Sequence, residues 1–123
     1  MKIHYDTFGT GRTFVWLHGL LESNQIYVNM AKQIPGQHYL VDSRNHAKSP
    51  RSQDMSHEAH IEDIEEFFKQ AGIEKATLIS YSAGGRTSCG FVTKRPELVE
   101  RLVVMEAVPV DYNRWNTGWL DEI

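Results

Sequence analysis

A disulfide within the chain is excluded at the outset, because Cys89 is the only cysteine among 123 residues. A single thiol suits a reducing compartment, and Cys89 falls in a helix pattern, where a small buried packing residue is expected rather than a reactive nucleophile. No apolar run approaches the roughly 20 residues that a bilayer span requires. The opening Met1-Lys2-Ile3-His4-Tyr5-Asp6 does not begin a signal peptide either, so a soluble intracellular protein is expected. An excess of one charge is also missing: 13 basic against 16 acidic residues leave a net charge of -3. Composition therefore offers no reason to expect nucleic acid or an anionic membrane as partner. Neither a Walker pattern nor Gly-x-Gly-x-x-Gly occurs, which leaves no phosphate-cradle signature. No histidine follows His60.

What remains is the composition of an ordinary globular protein, 41% hydrophobic and 24% charged. At this length the chain is one domain or a piece of one, with about two-thirds of its unfolded surface available for burial. Internal repeats, low-complexity segments and interdomain linkers are absent.

Strand and helix patterns alternate along it. Residues 2–7 read as a short strand, followed by the turn Gly9-Thr10-Gly11. Residues 13–17 (Thr-Phe-Val-Trp-Leu) have the mostly apolar character of a strand buried on both faces. Ser23 is a candidate N-cap for a helix with Tyr27, Met30, Ala31 and Ile34 on one face, stopped by Pro35-Gly36. Residues 38–42 form the next strand, and a polar loop runs on through Arg51.

Ser56 opens the clearest helix, whose apolar stripe is Ile61, Ile64, Phe67, Phe68 and Ala71, with Gly72 as a left-handed stop. Residues 75–80 make a strand, 83–94 a helix closed by Pro96, and 101–106 one more buried strand. The fold class is α/β, a mostly parallel sheet with helices on both faces. Ligands of such sheets bind at the carboxyl ends of the strands. Here His18-Gly19, the loop from Asp42 to Ser49, Ser82 and Glu106 all fall on that edge.

The sharpest signal is Ser80-Tyr81-Ser82-Ala83-Gly84-Gly85, directly behind Ala76-Thr77-Leu78-Ile79. A strand that ends in small-x-Ser-x-Gly-Gly and turns at once into a helix has the layout of a nucleophile elbow. Ser82 is the candidate nucleophile, with Ser80 where a glycine more often stands. Acyl transfer through serine also needs oxyanion donors, a base and an acid to orient it. The N–H of Ala83, at a helix start, and the N–H of Leu20, after His18-Gly19, are the candidate donors.

Trp16-Leu17-His18-Gly19-Leu20-Leu21, Asp42-Ser43-Arg44-Asn45-His46-Ala47-Lys48-Ser49-Pro50 and Ser80-Tyr81-Ser82-Ala83-Gly84-Gly85 stand in the order and spacing of α/β-hydrolases. The chain resembles the small serine esterases of the alpha/beta-hydrolase-domain type, and Met105-Glu106-Ala107-Val108-Pro109-Val110 resembles theirs as well. The resemblance runs from Lys2 to Tyr112. It implies an esterase or thioesterase on small acyl esters, with no cofactor. It also implies Glu106 as the acid, with Asp111 as fallback, although aspartate is the usual residue there.

The family's base is a histidine on a loop after the last strand, far downstream of anything in these residues. The resemblance therefore implies that residues 1–123 are the N-terminal part of an α/β-hydrolase domain, without its C-terminal strands and cap. His46 is the one substitute base to consider, though in the family pattern Asn45-His46 orders its loop by hydrogen bonding. His18 is expected to be structural. His57-Glu58-Ala59-His60 lacks the His-Glu-x-x-His zinc spacing, so no metal is expected.

Three readings stay open: a serine esterase, a catalytically inactive binding or regulatory module on the same sheet, and a lyase or C–C hydrolase of this fold. A raw edge at the last strand is expected to promote self-association, unless residues 111–123, with Trp115, Trp119 and Leu120, cover it.

Overall fold

The computed structural model describes residues 1–107. Asp111, Trp115, Trp119 and Leu120 lie outside the described residues. The elements are β1 (Tyr5–Phe8), β2 (Thr13–Leu17), a 3₁₀ turn (Asn24–Tyr27) running into α1 (Val28–Lys32), and β3 (Gln37–Val41). They continue with α2 (His57–Ala71), β4 (Ala76–Tyr81), α3 (Ala83–Lys94), a second 3₁₀ turn (Pro96–Leu98) and β5 (Val99–Met105). The sheet order is β1-β3-β2-β4-β5, with β1 antiparallel to β3 and the other pairs parallel. Every strand after β1 therefore ends at the same edge.

The central strands β2, β3 and β4 are buried on both faces with a period of two. Val15, Leu17, Tyr39, Val41, Ala76 and Leu78 meet Ile61, Ile64, Phe67 and Phe68 of α2 and Phe91 of α3. Their neighbours Trp16, Leu40 and Ile79 point to the other face, against Tyr27 and Ala31. This explains why residues 13–17 read as continuously apolar.

Local signals hold at both ends of α2. Ser56 Oγ accepts the Ala59 N–H at 3.2 Å, and Gly72 closes the helix at φ 68. No helix among the described residues is long and apolar enough to cross a membrane.

Four expectations need correction. The first strand begins three residues later than expected, at Tyr5. The helix after Ser23 opens as a 3₁₀ turn, with Ser23 Oγ accepting the Gln25 N–H. At three residues per turn its phase differs from that of an α-helix; Tyr27 and Ala31 are buried and Met30 is exposed. The last strand is not fully buried, for β5 pairs only with β4 among the described residues and Val103 is exposed. Cys89 is half-buried rather than buried.

Candidate active site

Ser82 is the single residue between β4 and α3. Its φ of 49 and ψ of -116 lie where side chains are rarely tolerated, a strain of about 1–3 kcal/mol that the surroundings must hold. They do so from both sides: the Ser82 N–H donates to Met105 O at 2.9 Å, and Ser82 O accepts the Arg86 N–H at 3.1 Å. The glycines that follow allow close packing. A Cβ on Gly84 would stand 2.6 Å from His18 O and closer still to Leu17 O, and one on Gly85 would meet Val104 Cγ1 and Ala107 Cβ at 2.9 Å. Ser80 is fully buried, with its hydroxyl 2.7 Å from Ser88 Oγ and donating to Val103 O at 3.0 Å. A serine is thus accommodated where a glycine more often stands. Ser82 makes no side-chain cap, and the first-turn amides of α3, Ala83 among them, have no intrahelical partner.

The turn after β2 lies against this corner. A Cβ on Gly19 would stand 3.4 Å from Ser82 Cβ. Within the turn, the Gly19 N–H donates to Glu22 Oε2 at 2.8 Å, the Leu21 N–H to His46 Nε2 at 3.0 Å and the Glu22 N–H to Gly19 O at 3.3 Å. The Leu20 N–H has no hydrogen-bond partner among the described residues.

Glu106 follows β5. Tyr81 and Met105 are paired across the parallel strands, so Ser82 and Glu106 are the next residues on adjacent strand ends. Glu106 is exposed, at φ 55. The other positive-φ residues among the described ones that are not glycine are Leu21, Asn45, Ala47 and Ser82. All five lie beyond the carboxyl ends of β2, β3, β4 and β5. Backbone strain is concentrated on one edge of the sheet, as at functional sites.

A family profile described as alpha/beta hydrolase fold matches residues 12–122. The chain belongs to the α/β-hydrolase family. It is 41% identical over 109 residues to the mouse (Mus musculus) sn-1-specific diacylglycerol lipase ABHD11, a match covering 85% of this chain and 36% of that protein. Against Escherichia coli (strain K12) Esterase YbfF the identity is 32% over 101 residues, covering 80% of this chain and 40% of the relative. A solved structure titled "Marine microorganism esterase" superimposes with a TM-score of 0.89 at 31% identity, covering 98% of this chain and 48% of that one. The chain thus spans between a third and a half of the length of these relatives.

As an α/β-hydrolase chain it brings Ser82, the Ala83 and Leu20 amides and Glu106 to one edge. His46 comes to the same edge but is already engaged. Its Nδ1–H donates to Arg44 O at 2.8 Å while Nε2 accepts the Leu21 N–H. Neither nitrogen is left to take a proton from Ser82, so the loop-ordering alternative fits the geometry and the substitute-base expectation does not.

A cavity of about 300 Å³ adjoins Ala83, lined among others by His18, Leu20, His46, His57, His60 and Arg86. Burial, and then Arg86, push the His57 imidazole below its ordinary value. Among the described residues no group of three or more His, Cys, Asp or Glu is placed to hold a metal. Burial raises the Cys89 thiol pKa, which opposes thiolate formation.

Sequence reasoning missed two features of this edge. Arg44 reaches across to α2, with Nε and Nη2 on Asp63 Oδ2 and Oδ1 at 2.7 and 2.8 Å and Nη1 on Asp54 O at 2.7 Å. An aspartate between Ile61 and Ile64 on the buried side of α2 was the available signal. The second is Tyr27, whose buried hydroxyl has no partner among the described residues. Burial, then Glu22 and Tyr81, raise its pKa to about 12.

Proposed function

We propose that this chain carries the nucleophile and oxyanion donors of a serine ester hydrolase that acts through an acyl-enzyme. The backbone of Ser82 carries the reading: one residue at φ 49 and ψ -116 joins a buried strand to a helix start, as a nucleophile elbow requires. The names of the relatives, lipase and esterase, support an ester as substrate.

In this mechanism Ser82 Oγ attacks the ester carbonyl carbon as its proton passes to a base. The carbonyl oxygen becomes an oxyanion held by the N–H groups of Ala83 and Leu20. Collapse breaks the bond to the alcohol, which leaves with the proton, and water then releases the acid by the same steps in reverse. Losing one such donor costs about 2.7–4 kcal/mol of transition-state stabilisation. Glu106 orients the base from the adjacent strand end. His46 is not that base, since both of its ring nitrogens are engaged.

The experiment is hydrolysis of a short-chain aryl ester by the protein expressed from its whole coding sequence, compared with Ser82→Ala. Loss of turnover at unchanged stability is expected. A rate unchanged by Ser82→Ala would end the nucleophile assignment.

A further inference from the structure

His18 and His46 lace two loops together in opposite directions. His18, on the turn after β2, accepts the Ser43 N–H at Nε2 over 3.0 Å. His46, on the loop after β3, accepts the Leu21 N–H at Nε2 over 3.0 Å. Each ring uses Nδ1 on a carbonyl, His18 on Gly19 O at 2.7 Å and His46 on Arg44 O at 2.8 Å. A carbonyl only accepts, so both Nδ1 atoms must carry the proton. An N–H pointing at Nε2 needs a lone pair there, so both rings must be neutral. They are buried, 1% and 9% exposed, with ring centres 5.0 Å apart.

The His18 bond has a geometric consequence for its neighbour. Gly19 C=O and Leu20 N–H belong to one peptide unit, and no peptide bond in the described chain is cis. In a trans unit the two groups point in opposite directions. Two donors, His18 Nδ1–H and the Glu22 N–H, fix Gly19 O. The direction of the Leu20 N–H is thereby set. His46 secures the next unit at Leu21, where φ is 63 and the side chain, 90% exposed, contributes no anchoring contact.

We propose that His18 is a positioning residue that aims the Leu20 N–H at the oxyanion, acting as a neutral Nδ1–H imidazole with His46 as the second clamp. The role rests on the reading of Leu20 as an oxyanion donor. It also makes the donor sensitive to protons. A proton on His18 Nε2 sets N–H against the Ser43 N–H, breaks the lace and releases the turn. The charged and titratable groups facing His18 are His46, Asp42 and Glu22. Burial and His46 disfavour the imidazolium, while the Gly19 carbonyl, Asp42 and Glu22 favour it, and the balance lies below the ordinary histidine value.

Two measurements test the proposal. Nitrogen-15 NMR of the histidine rings of the protein at pH 7.5 should show His18 and His46 as neutral Nδ1–H tautomers. On acidification the Leu20 amide resonance should move with the His18 titration. The Nε2–H tautomer at His18, or a Leu20 amide indifferent to that titration, overturns the proposal, and neither result depends on turnover.

The second measurement is aryl ester kinetics of His18→Asn and His18→Gln. Asparagine can place a donor near the Nδ1 position, whereas glutamine reaches toward Ser43 and leaves Gly19 O without its side-chain donor. His18→Gln is expected to lower kcat at least tenfold with KM within about twofold, the pattern of a lost transition-state contact, and His18→Asn to recover most of the rate. Equal losses in two variants of equal stability would contradict the aiming role. A rate unaffected by Ser82→Ala refutes the nucleophile reading instead, and the NMR result then stands on its own.

Discussion

Replacing Ser82 by glycine should stabilise the protein while removing its nucleophile. At φ 49 and ψ -116 a side chain is strained, by about 1–3 kcal/mol, and glycine relieves that strain because it has no Cβ. Against this, glycine gives the unfolded chain more freedom, worth about 0.4–1 kcal/mol. The net gain lies between about 0 and 2.6 kcal/mol, with about 1.3 kcal/mol at mid-range. Ser82→Ala is the control, since it removes the hydroxyl and keeps the strain. The Ser82 side chain caps nothing in α3, so alanine should fall within about 0.5 kcal/mol of the parent. Urea denaturation of the three proteins, fitted with a common m-value, reads the difference directly. Glycine no more stable than alanine would mean that the backbone at Ser82 is not strained, and the main structural support for the nucleophile would fall.

Asp63→Asn leaves the buried Arg44 guanidinium without its charged partner, which should cost about 3–5 kcal/mol in the same denaturation. An effect below about 1 kcal/mol would show that the pair contributes little. Gly84→Ala drives a methyl into the carbonyls of Leu17 and His18, and overpacking of this kind costs about 1–3 kcal/mol; an unchanged stability would refute the close approach of α3 to β2. His18 and His57 both have lowered pKa values in the folded state, so the unfolded chain takes up their protons first. Their contribution is complete above about pH 6.5 and is lost as pH falls through the lower folded values, which denaturation at pH 7.5 and 5.5 should show as lower stability at 5.5 with a smaller drop in His57→Ala. β5, with Val103 44% exposed, is expected to associate with a second copy; a clean monomer at micromolar concentration in analytical ultracentrifugation would contradict this.

The parts of the fold legible from sequence rest on local physics. Ser56 and Gly72 mark α2 because capping and a left-handed stop are decided within a few residues. The turn at Ser82 was legible because few side chains tolerate such a corner. Met30 escaped because a 3₁₀ opening shifts the phase of the helix, which an apolar stripe does not reveal. The exposure of β5 escaped because burial depends on what lies beyond it. The lace of His18 and His46 escaped for a stronger reason: each ring meets an amide 25 residues away, across two loops whose approach no periodicity records.

The most direct test of the central claim is covalent labelling. The protein expressed from its whole coding sequence is treated with a fluorophosphonate, digested and mapped by mass spectrometry. A single adduct on Ser82, abolished in Ser82→Ala, is the predicted result. Labelling at another serine, or none at Ser82 in a protein that still hydrolyses the aryl ester, would contradict the assignment.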